Sequence, residues 1–323
     1  MNKKLDPDNY LFLLENFPQQ IEEGISIGKK VKVKKRKFEN IVVQGMGGSG
    51  ITGKILETLF KDELKIPIQT NNSYEIPAFV SDKTLFIAVS YSGGTEETLS
   101  GARAAKKRKA FVLGISSGKK FRKECNYLIK IPENYPPRAA TAFLVTPLIF
   151  ALQKFGLIKS KEKAIKEFIK LGKKEKKNIK SKAQNIAKKI RKKTVFVYAT
   201  DKISISSLRW MTQINENSKD FCHSNIIPEM NHNEINMNFK KGVFVFLKTK
   251  NESNQMKKRI QFTKKVFSKH NKILEFTSKG NSLFSQLFYL IYLGDFLSYY
   301  LALQNKVNPY PVPVIEGLKK YLK

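Results

Sequence analysis

Short apolar runs alternate with amphipathic segments along the first half of the chain. Five runs of mostly apolar residues predict buried strands, at positions 41–44, 65–69, 85–89, 110–114 and 127–131. The gaps between them carry helical patterns, and the clearest predicted helices lie at 51–60, 95–107 and 139–155. This order is typical of βαβ units, so we expect a parallel sheet covered by helices.

The second half of the chain repeats this alternation. Strands are predicted at 194–198, 243–247 and 272–276, and helices at 204–217 and 283–303. The sequence therefore predicts an α/β protein with two tandem subdomains, each a parallel sheet flanked by helices. We place the N-terminal domain at 1–156, a connector at 157–193 and the C-terminal domain at 194–323.

The connector is crowded with lysine, yet its apolar residues recur at near-helical spacing. They predict one or two amphipathic helices with a solvated basic face, and they are Ile165, Phe168, Ile169, Ile179, Ile186 and Ile190. The whole chain has 323 residues and a net charge of +33, with 60 lysines and arginines against 27 acids. Such an excess attracts nucleic acid, anionic lipid or phosphorylated metabolites alike, so a nucleic-acid groove on this helix remains an alternative.

One apolar segment, residues 283–303, is long enough to cross a membrane. Gln286 and Asp295 interrupt it, and an acid in lipid costs several kcal/mol. We therefore favour a helix buried in a core or a subunit interface. No apolar run of signal-peptide length follows the charged first residues, which favours a cytoplasmic protein without a membrane partner.

Cysteine and histidine spacing gives no support for a metal centre or a disulfide scaffold. Cys125 and Cys222 lack CxxC spacing, and a chain of this length needs no covalent staples. His223 and His232 stand nine residues apart with no HxH pair. We expect no metal and no cofactor.

A glycine-rich loop, GMGGSG at 45–50, follows the first predicted strand. Glycines after a strand let backbone amides approach an anion, and the following helix N-terminus adds partial positive charge. Gly47, Gly48 and Ser49 are therefore candidate phosphate-binding residues. The spacing also fits the dinucleotide fingerprint GxGxxG, but polar residues 69–72 occupy the place of its ribose-binding acid, which disfavours that reading.

A second loop, SYSGGTEET at 90–98, follows the third predicted strand. Ser90, Ser92 and Thr95 supply three hydroxyls around one strand-to-helix turn, which suits the oxygens of a terminal phosphomonoester. An ordinary helix cap would need only one hydroxyl. The loop lacks the GK[ST] ending of a P-loop, so ATP hydrolysis is not expected.

Together, these two loops resemble those of a sugar isomerase (SIS) domain, which binds phosphosugars through a serine/threonine-rich loop. Four later segments resemble the bifunctional phosphoglucose/phosphomannose isomerase family, namely PPR at 136–138, QINEN at 213–217, PEMNHNEI at 228–235 and the PVxxIxxLK frame at 311–319. The resemblance runs from about residue 40 to the C-terminus. It implies two SIS-type subdomains and an aldose–ketose isomerase acting on glucose 6-phosphate, mannose 6-phosphate or both, with fructose 6-phosphate as product.

The same resemblance implies a role for each candidate catalytic residue. Glu216 matches the base of a cis-enediol proton transfer, and Arg138 matches the arginine that stabilises the enediolate. His232 matches the ring-opening residue, which in related isomerases comes from the neighbouring subunit, so a homodimer is implied. Histidine suits ring opening because its ordinary pKa of about 6.5 lets it give and take a proton. Lys319 matches a C-terminal lysine that approaches the substrate.

Other residues near these motifs receive lesser roles. The family pattern gives Glu229 and Glu234 structural parts, while His223 and His270 match no motif and are expected at the surface or in packing. Tyr310 stands where the family tends to carry a small hydroxyl residue, so an inward-pointing ring would weaken the mannose reaction.

Two alternatives from the sequence remain open. One is a non-catalytic phosphosugar-sensing SIS module with a basic nucleic-acid-binding surface, although no nucleic-acid domain is recognisable. The other is a different SIS-type sugar-phosphate isomerase.

Overall fold

The computed structural model describes residues 4–118 and 120–322 and divides them into two compact units. Of the described residues, those within 16–170 form one unit, and residues 4–15 together with 171–322 form the other. The boundary at 170 falls inside a single long helix. The domain limits drawn from the sequence remain a prediction.

The unit of residues 16–170 contains a five-stranded sheet. Its strands are β1 (Asn40–Gly45), β2 (Ile68–Asn71), β3 (Thr84–Val89), β4 (Phe111–Ser116) and β5 (Tyr127–Lys130), in the order β2-β1-β3-β4-β5 and all parallel. Its helices are α2 (Phe17–Lys29), α3 (Gly47–Phe60), α4 (Glu96–Lys107) and α5 (Thr141–Phe155). Strand β2 begins later than predicted, at Ile68, because Pro67 has no N–H for the ladder and contributes only its carbonyl, to Ile41.

The second unit contains a four-stranded parallel sheet. Its strands are β6 (Val195–Thr200), β7 (Cys222–Ile227), β8 (Val243–Lys248) and β9 (Lys272–Thr277), in the order β7-β6-β8-β9. Its helices are α1 (Tyr10–Glu15), α7 (Ile205–Gln213), α8 (Asn254–Phe267), α9 (Leu283–Gln304) and α10 (Pro313–Tyr321). The predicted fold class is confirmed in both units.

Strand β7 was missed by the hydrophobic pattern, because it lies at the sheet edge and carries polar residues such as His223 and Asn225. Alternate side chains point to opposite faces of this strand. Ser224 faces α7, where its hydroxyl contacts the sulfur of Met211 at 3.4 Å. The opposite face carries an aromatic core that includes Tyr198 and Phe244 and packs against α8.

Helix α6 (Glu162–Ile190) is a single helix of 29 residues in the predicted connector. All six apolar residues that predicted it are buried, so its amphipathic character is confirmed. Its lysines lie mostly on the solvent side.

Helix α9 is buried along nearly its whole length, as predicted for residues 283–303. Its internal acid, Asp295, pairs with Arg209 of α7 in two nearly parallel hydrogen bonds of 3.0 and 3.1 Å. Across the described ranges, no helix combines the length and apolarity that a membrane crossing requires.

Candidate functional site

Both glycine-containing loops lie where the order of strands in the first sheet reverses. The chain proceeds from β1 outward to β2 and then returns to β3 on the other side of β1, so the carboxyl ends of β1 and β3 are neighbours. In open parallel sheets, ligands bind in the crevice outside such a switch point. The topology thus brings together the two loops that the sequence singled out.

The first loop turns directly from β1 into α3. Met46 is extended, and Gly47 begins the helix with φ +51°, a conformation that favours glycine. A Cβ on Gly48 would lie 2.8 Å from the backbone nitrogen of Arg138. Gly48 therefore permits a close approach between the start of α3 and the turn at Pro137–Ala139, which holds the buried Arg138.

The second loop is held by its own hydroxyls. The buried Ser90 accepts hydrogen bonds at Oγ from the backbone N–H of Gly93 at 3.1 Å and of Thr95 at 3.4 Å, and donates to Thr95 Oγ1 at 2.9 Å. Thr95 thereby keeps its own hydroxyl proton to donate. Ser92 is exposed and accepts from the backbone N–H of Gly94 at 3.3 Å. Ser90 shapes the loop, while Ser92 and Thr95 lie at its surface.

A hydrogen bond joins the two loops. The backbone N–H of Tyr91 donates to Ser49 Oγ at 3.1 Å, so Ser49 also keeps a proton to donate. The Tyr91 hydroxyl accepts from the backbone N–H of Tyr135 at 2.8 Å and donates to the carbonyl of Pro132 at 2.9 Å. Glycine amides, the hydroxyls of Ser49 and Thr95 and the N-terminus of α3 therefore lie at one switch point, an arrangement suited to an anion, and the backbone of Arg138 packs against Gly48.

Glu216 lies in the second unit, on a π-helical turn (Ile214–Ser218) that continues α7. Such turns interrupt helices frequently at functional sites. Asn217 donates to Ser298 Oγ of α9 at 2.9 Å, and Ser218 Oγ donates to the Ser298 carbonyl at 2.8 Å. These anchors fix the two residues that directly follow the half-buried Glu216.

Lys219 closes this turn in the left-handed conformation, with φ 56°. Its ammonium donates to the backbone carbonyls of Glu216 and Pro311. The segment that leads into α10, and so to Lys319, is thereby attached to the Glu216 turn. Lys319 itself is exposed.

Tyr310, in the same segment, packs edge-to-face on the buried Tyr10 with ring centroids 6.1 Å apart. The ring is thus engaged with α1 of its own unit.

His232 lies in a different place. It ends a short 3-10 turn (Glu229–His232) that follows β7, and its side chain is exposed. Met230 of this turn is buried in the aromatic core on the α8 face of the sheet. Glu216 follows α7, on the other face. Within one chain, the sheet therefore separates Glu216 from His232, and the structure does not bring them to a common face.

A carboxylate cluster that follows His232 in the chain received no binding or catalytic role from the sequence motifs. Glu234 Oε1 accepts from His223 Nε2 at 3.0 Å and from Asn225 Nδ2 at 2.5 Å, and Oε2 accepts from the Tyr198 hydroxyl at 2.7 Å. His223 is thus part of a defined polar cluster. Only the unpredicted strand β7, which places His223 and Asn225 on one face, would have indicated it.

Within residues 4–118 and 120–322, no cluster of three or more histidine, cysteine or acidic side chains could hold a metal ion. Burial raises the pKa of the Cys125 thiol to about 12 and raises that of Cys222 as well. Both thiols therefore stay protonated near neutral pH, which leaves no thiolate nucleophile at either position.

Comparison with known proteins confirms the family resemblance. A family model described as "SIS domain" matches residues 35–152, and one described as "Bacterial phospho-glucose isomerase C-terminal SIS domain" matches residues 179–322. A bifunctional phosphoglucose/phosphomannose isomerase of Thermoplasma volcanium is 35% identical over 93% of this chain and 96% of its own. Its counterpart in Thermoplasma acidophilum is 38% identical over 88% of this chain and 89% of its own.

The fold also matches solved structures. The C-terminal domain of glucosamine-fructose-6-phosphate aminotransferase from Francisella tularensis superposes with a TM-score of 0.79. It is 16% identical and covers 93% of this chain and 97% of that domain. At 16% sequence identity, this similarity shows the fold alone.

Proposed function

This chain belongs to the bifunctional phosphoglucose/phosphomannose isomerase family, and we propose that it interconverts glucose 6-phosphate and mannose 6-phosphate with fructose 6-phosphate. The observation that carries the proposal is the pair of hydrogen-bonded loops at the β1/β3 switch point, with hydroxyl donors at Ser49 and Thr95. They suit a phosphomonoester, whose oxygens accept several hydrogen bonds.

In this proposal the phosphate lies against Gly47, Gly48 and Ser49 of the first loop and Ser92 and Thr95 of the second. Ser90 supports them indirectly, through its hydrogen bond to Thr95. Binding needs no metal or cofactor, because backbone amides, hydroxyls and the α3 N-terminus supply the donors and the positive potential.

The chemistry requires a proton to move between C1 and C2 of the open-chain sugar. The Glu216 carboxylate takes the C2 proton, which leaves a cis-enediolate. A proton then passes from the C2 oxygen to the C1 oxygen, and Glu216 returns its proton to C1, so that the carbonyl now lies at C2. Arg138 is the permanent cation for the enediolate oxygens, and its planar fork suits two adjacent oxygens. Lys319 adds a second positive charge, and His232 moves the proton that opens the ring.

We further propose that the active protein is a homodimer in which His232 serves the site of the partner subunit. The sheet that separates Glu216 from His232 in one chain supports this, because both residues must reach one hexose. Helix α10 also exposes apolar side chains that suit a subunit interface. They are Val314, Ile315, Leu318 and Tyr321. We place the enzyme in the cytoplasm, with no membrane or nucleic-acid partner.

The test is isomerase activity of the purified protein on each aldose phosphate in the presence of EDTA. Fructose 6-phosphate should form from both substrates. Glu216→Gln should lower kcat by at least ~10²-fold, because it removes the base while keeping the shape of the side chain. The control is Glu39→Gln, a surface acid paired with Lys83 at 2.6 Å, which should leave kcat unchanged. An inactive wild-type protein, or full activity in Glu216→Gln, would contradict the proposal.

A further inference from the structure

The carboxylate cluster of Glu234 attaches the His232 segment to the sheet. The Glu234 side chain is 21% exposed and accepts hydrogen bonds from three donors on two neighbouring strands. Tyr198, on β6, is fully buried, and His223 and Asn225 lie on β7. One residue, Asn233, separates this anchored carboxylate from His232 along the chain.

The neighbouring backbone is held as well. Asn233, between the two residues, accepts at Oδ1 from the backbone N–H of Glu234 at 2.6 Å and donates at Nδ2 to Glu229 at 3.3 Å. On the other side of His232, Asn231 donates to Thr263 Oγ1 of α8 at 2.8 Å. The chain is therefore fixed on both sides of an exposed imidazole.

The cluster binds Glu234 in its charged form. Burial raises the pKa of Glu234, but hydrogen bonds from Asn225, Tyr198 and His223 outweigh it and hold that pKa below its ordinary range. The carboxylate is an acceptor for all three donors.

We propose that Glu234 is a positioning residue for ring opening, which acts through His232 by fixing the segment that presents the imidazole. This inference rests on the proposed isomerase function. Ring opening needs a proton donor within hydrogen-bond reach of the sugar oxygen, and a displacement of about 1 Å can cost on the order of 10²-fold in rate. The substrate phosphate binds elsewhere, so the loss should fall on kcat and leave KM within about threefold.

A double-mutant cycle separates this role from a purely structural one. Glu234→Ala alone should lower kcat by about 10- to 100-fold. In a His232→Ala background, the same change should lower kcat by less than about twofold, because the group that it positions is already absent. A loss of equal size in both backgrounds would overturn the proposal, and so would unchanged kcat in His232→Ala.

Two further variants keep the test decisive if Glu234→Ala folds poorly. Tyr198→Phe removes only one hydroxyl from the cluster and should lower kcat in the wild-type but not in the His232→Ala background. Glu234→Gln keeps an acceptor oxygen and should restore part of the activity lost in Glu234→Ala. Glu39→Ala is the control, since it removes an exposed acid far from this segment in the sequence and should leave kcat unchanged in both backgrounds.

The outcomes also distinguish this inference from the function on which it rests. A wild-type protein with no isomerase activity contradicts the proposed function. An active wild-type protein whose Glu234 and His232 losses simply multiply contradicts the positioning role alone.

Discussion

Gly48 shows how one missing side chain shapes the proposed phosphate site. The backbone of Arg138 lies where a Cβ would be, at 2.8 Å from its nitrogen and 3.0 Å from its Cα. Backbone atoms cannot swing aside as a flexible side chain can, so any larger residue must push α3 and the Arg138 turn apart. The glycine therefore couples the first phosphate loop to the proposed enediolate cation.

Gly48→Ala should accordingly raise KM for the hexose phosphate by about 10-fold or more and lower kcat, since both loop and arginine are displaced. The measurement is steady-state kinetics with glucose 6-phosphate. Gly94→Ala adds the same methyl to the second loop, where the nearest atom, Ser92 Oγ, is 4.0 Å away, and should raise KM less. A larger effect at Gly94 than at Gly48 would contradict this account.

The two sheets share a strand order but differ at their switch points. In the first sheet, hydroxyls and glycine amides surround the β1/β3 switch point. In the second, the ends of β6 and β8 flank the buried carboxylate of Glu252. Its Oε1 accepts from Thr200 Oγ1 at 2.8 Å and from the backbone N–H and hydroxyl of Thr249 at 2.7 Å each. The Glu252 carboxylate already accepts hydrogen bonds from those donors, so they are not available to a phosphate. For this reason we propose a phosphate site at the first sheet and not at the second.

A buried ion pair, Arg209 with Asp295, joins α7 to α9. Asp295→Ala should destabilise the protein by about 3–5 kcal/mol, because it leaves the guanidinium of the buried Arg209 without its carboxylate. Urea unfolding followed by circular dichroism measures this change. Glu39→Ala, which breaks the exposed pair with Lys83, should change the free energy of unfolding by less than about 0.5 kcal/mol. Similar values for both variants would show that burial does not set the strength of the pair.

At the level of the assembled protein, a shared active site makes a distinctive prediction. Glu216→Gln and His232→Ala homodimers should each lose most activity, since every site lacks one group. When the two variants are co-expressed, about half of the dimers are mixed, and each mixed dimer has one complete site. Activity should therefore recover to about a quarter of the wild-type value. No recovery beyond the sum of the separate variants would show that both residues act within one chain.

The sequence determined the fold class, because the alternation of apolar runs and helical patterns leaves a parallel sheet with helices as the way to bury them. The sequence also located helices α9 and α6. Helix α6 was predicted because Ile165, Phe168 and the later apolar residues recur at helical spacing. Those signals are local in the chain. Strand β7 was not predicted, because an edge strand pairs with a neighbour on one side only and needs no apolar run.

The site residues divide in the same way. Glycines and hydroxyls in one loop are close in sequence, so the chain order alone indicated the two candidate phosphate loops. In the structure Ser90 is buried and donates a hydrogen bond to Thr95. Two features of the site depend on which strands are neighbours. One is the separation of Glu216 from His232 by the second sheet, and the other is the set of three donors that bond to Glu234. Only the tertiary structure decided them, because hydrogen bonds between β6, β7 and residue 234 join positions up to 36 residues apart that no local pattern connects.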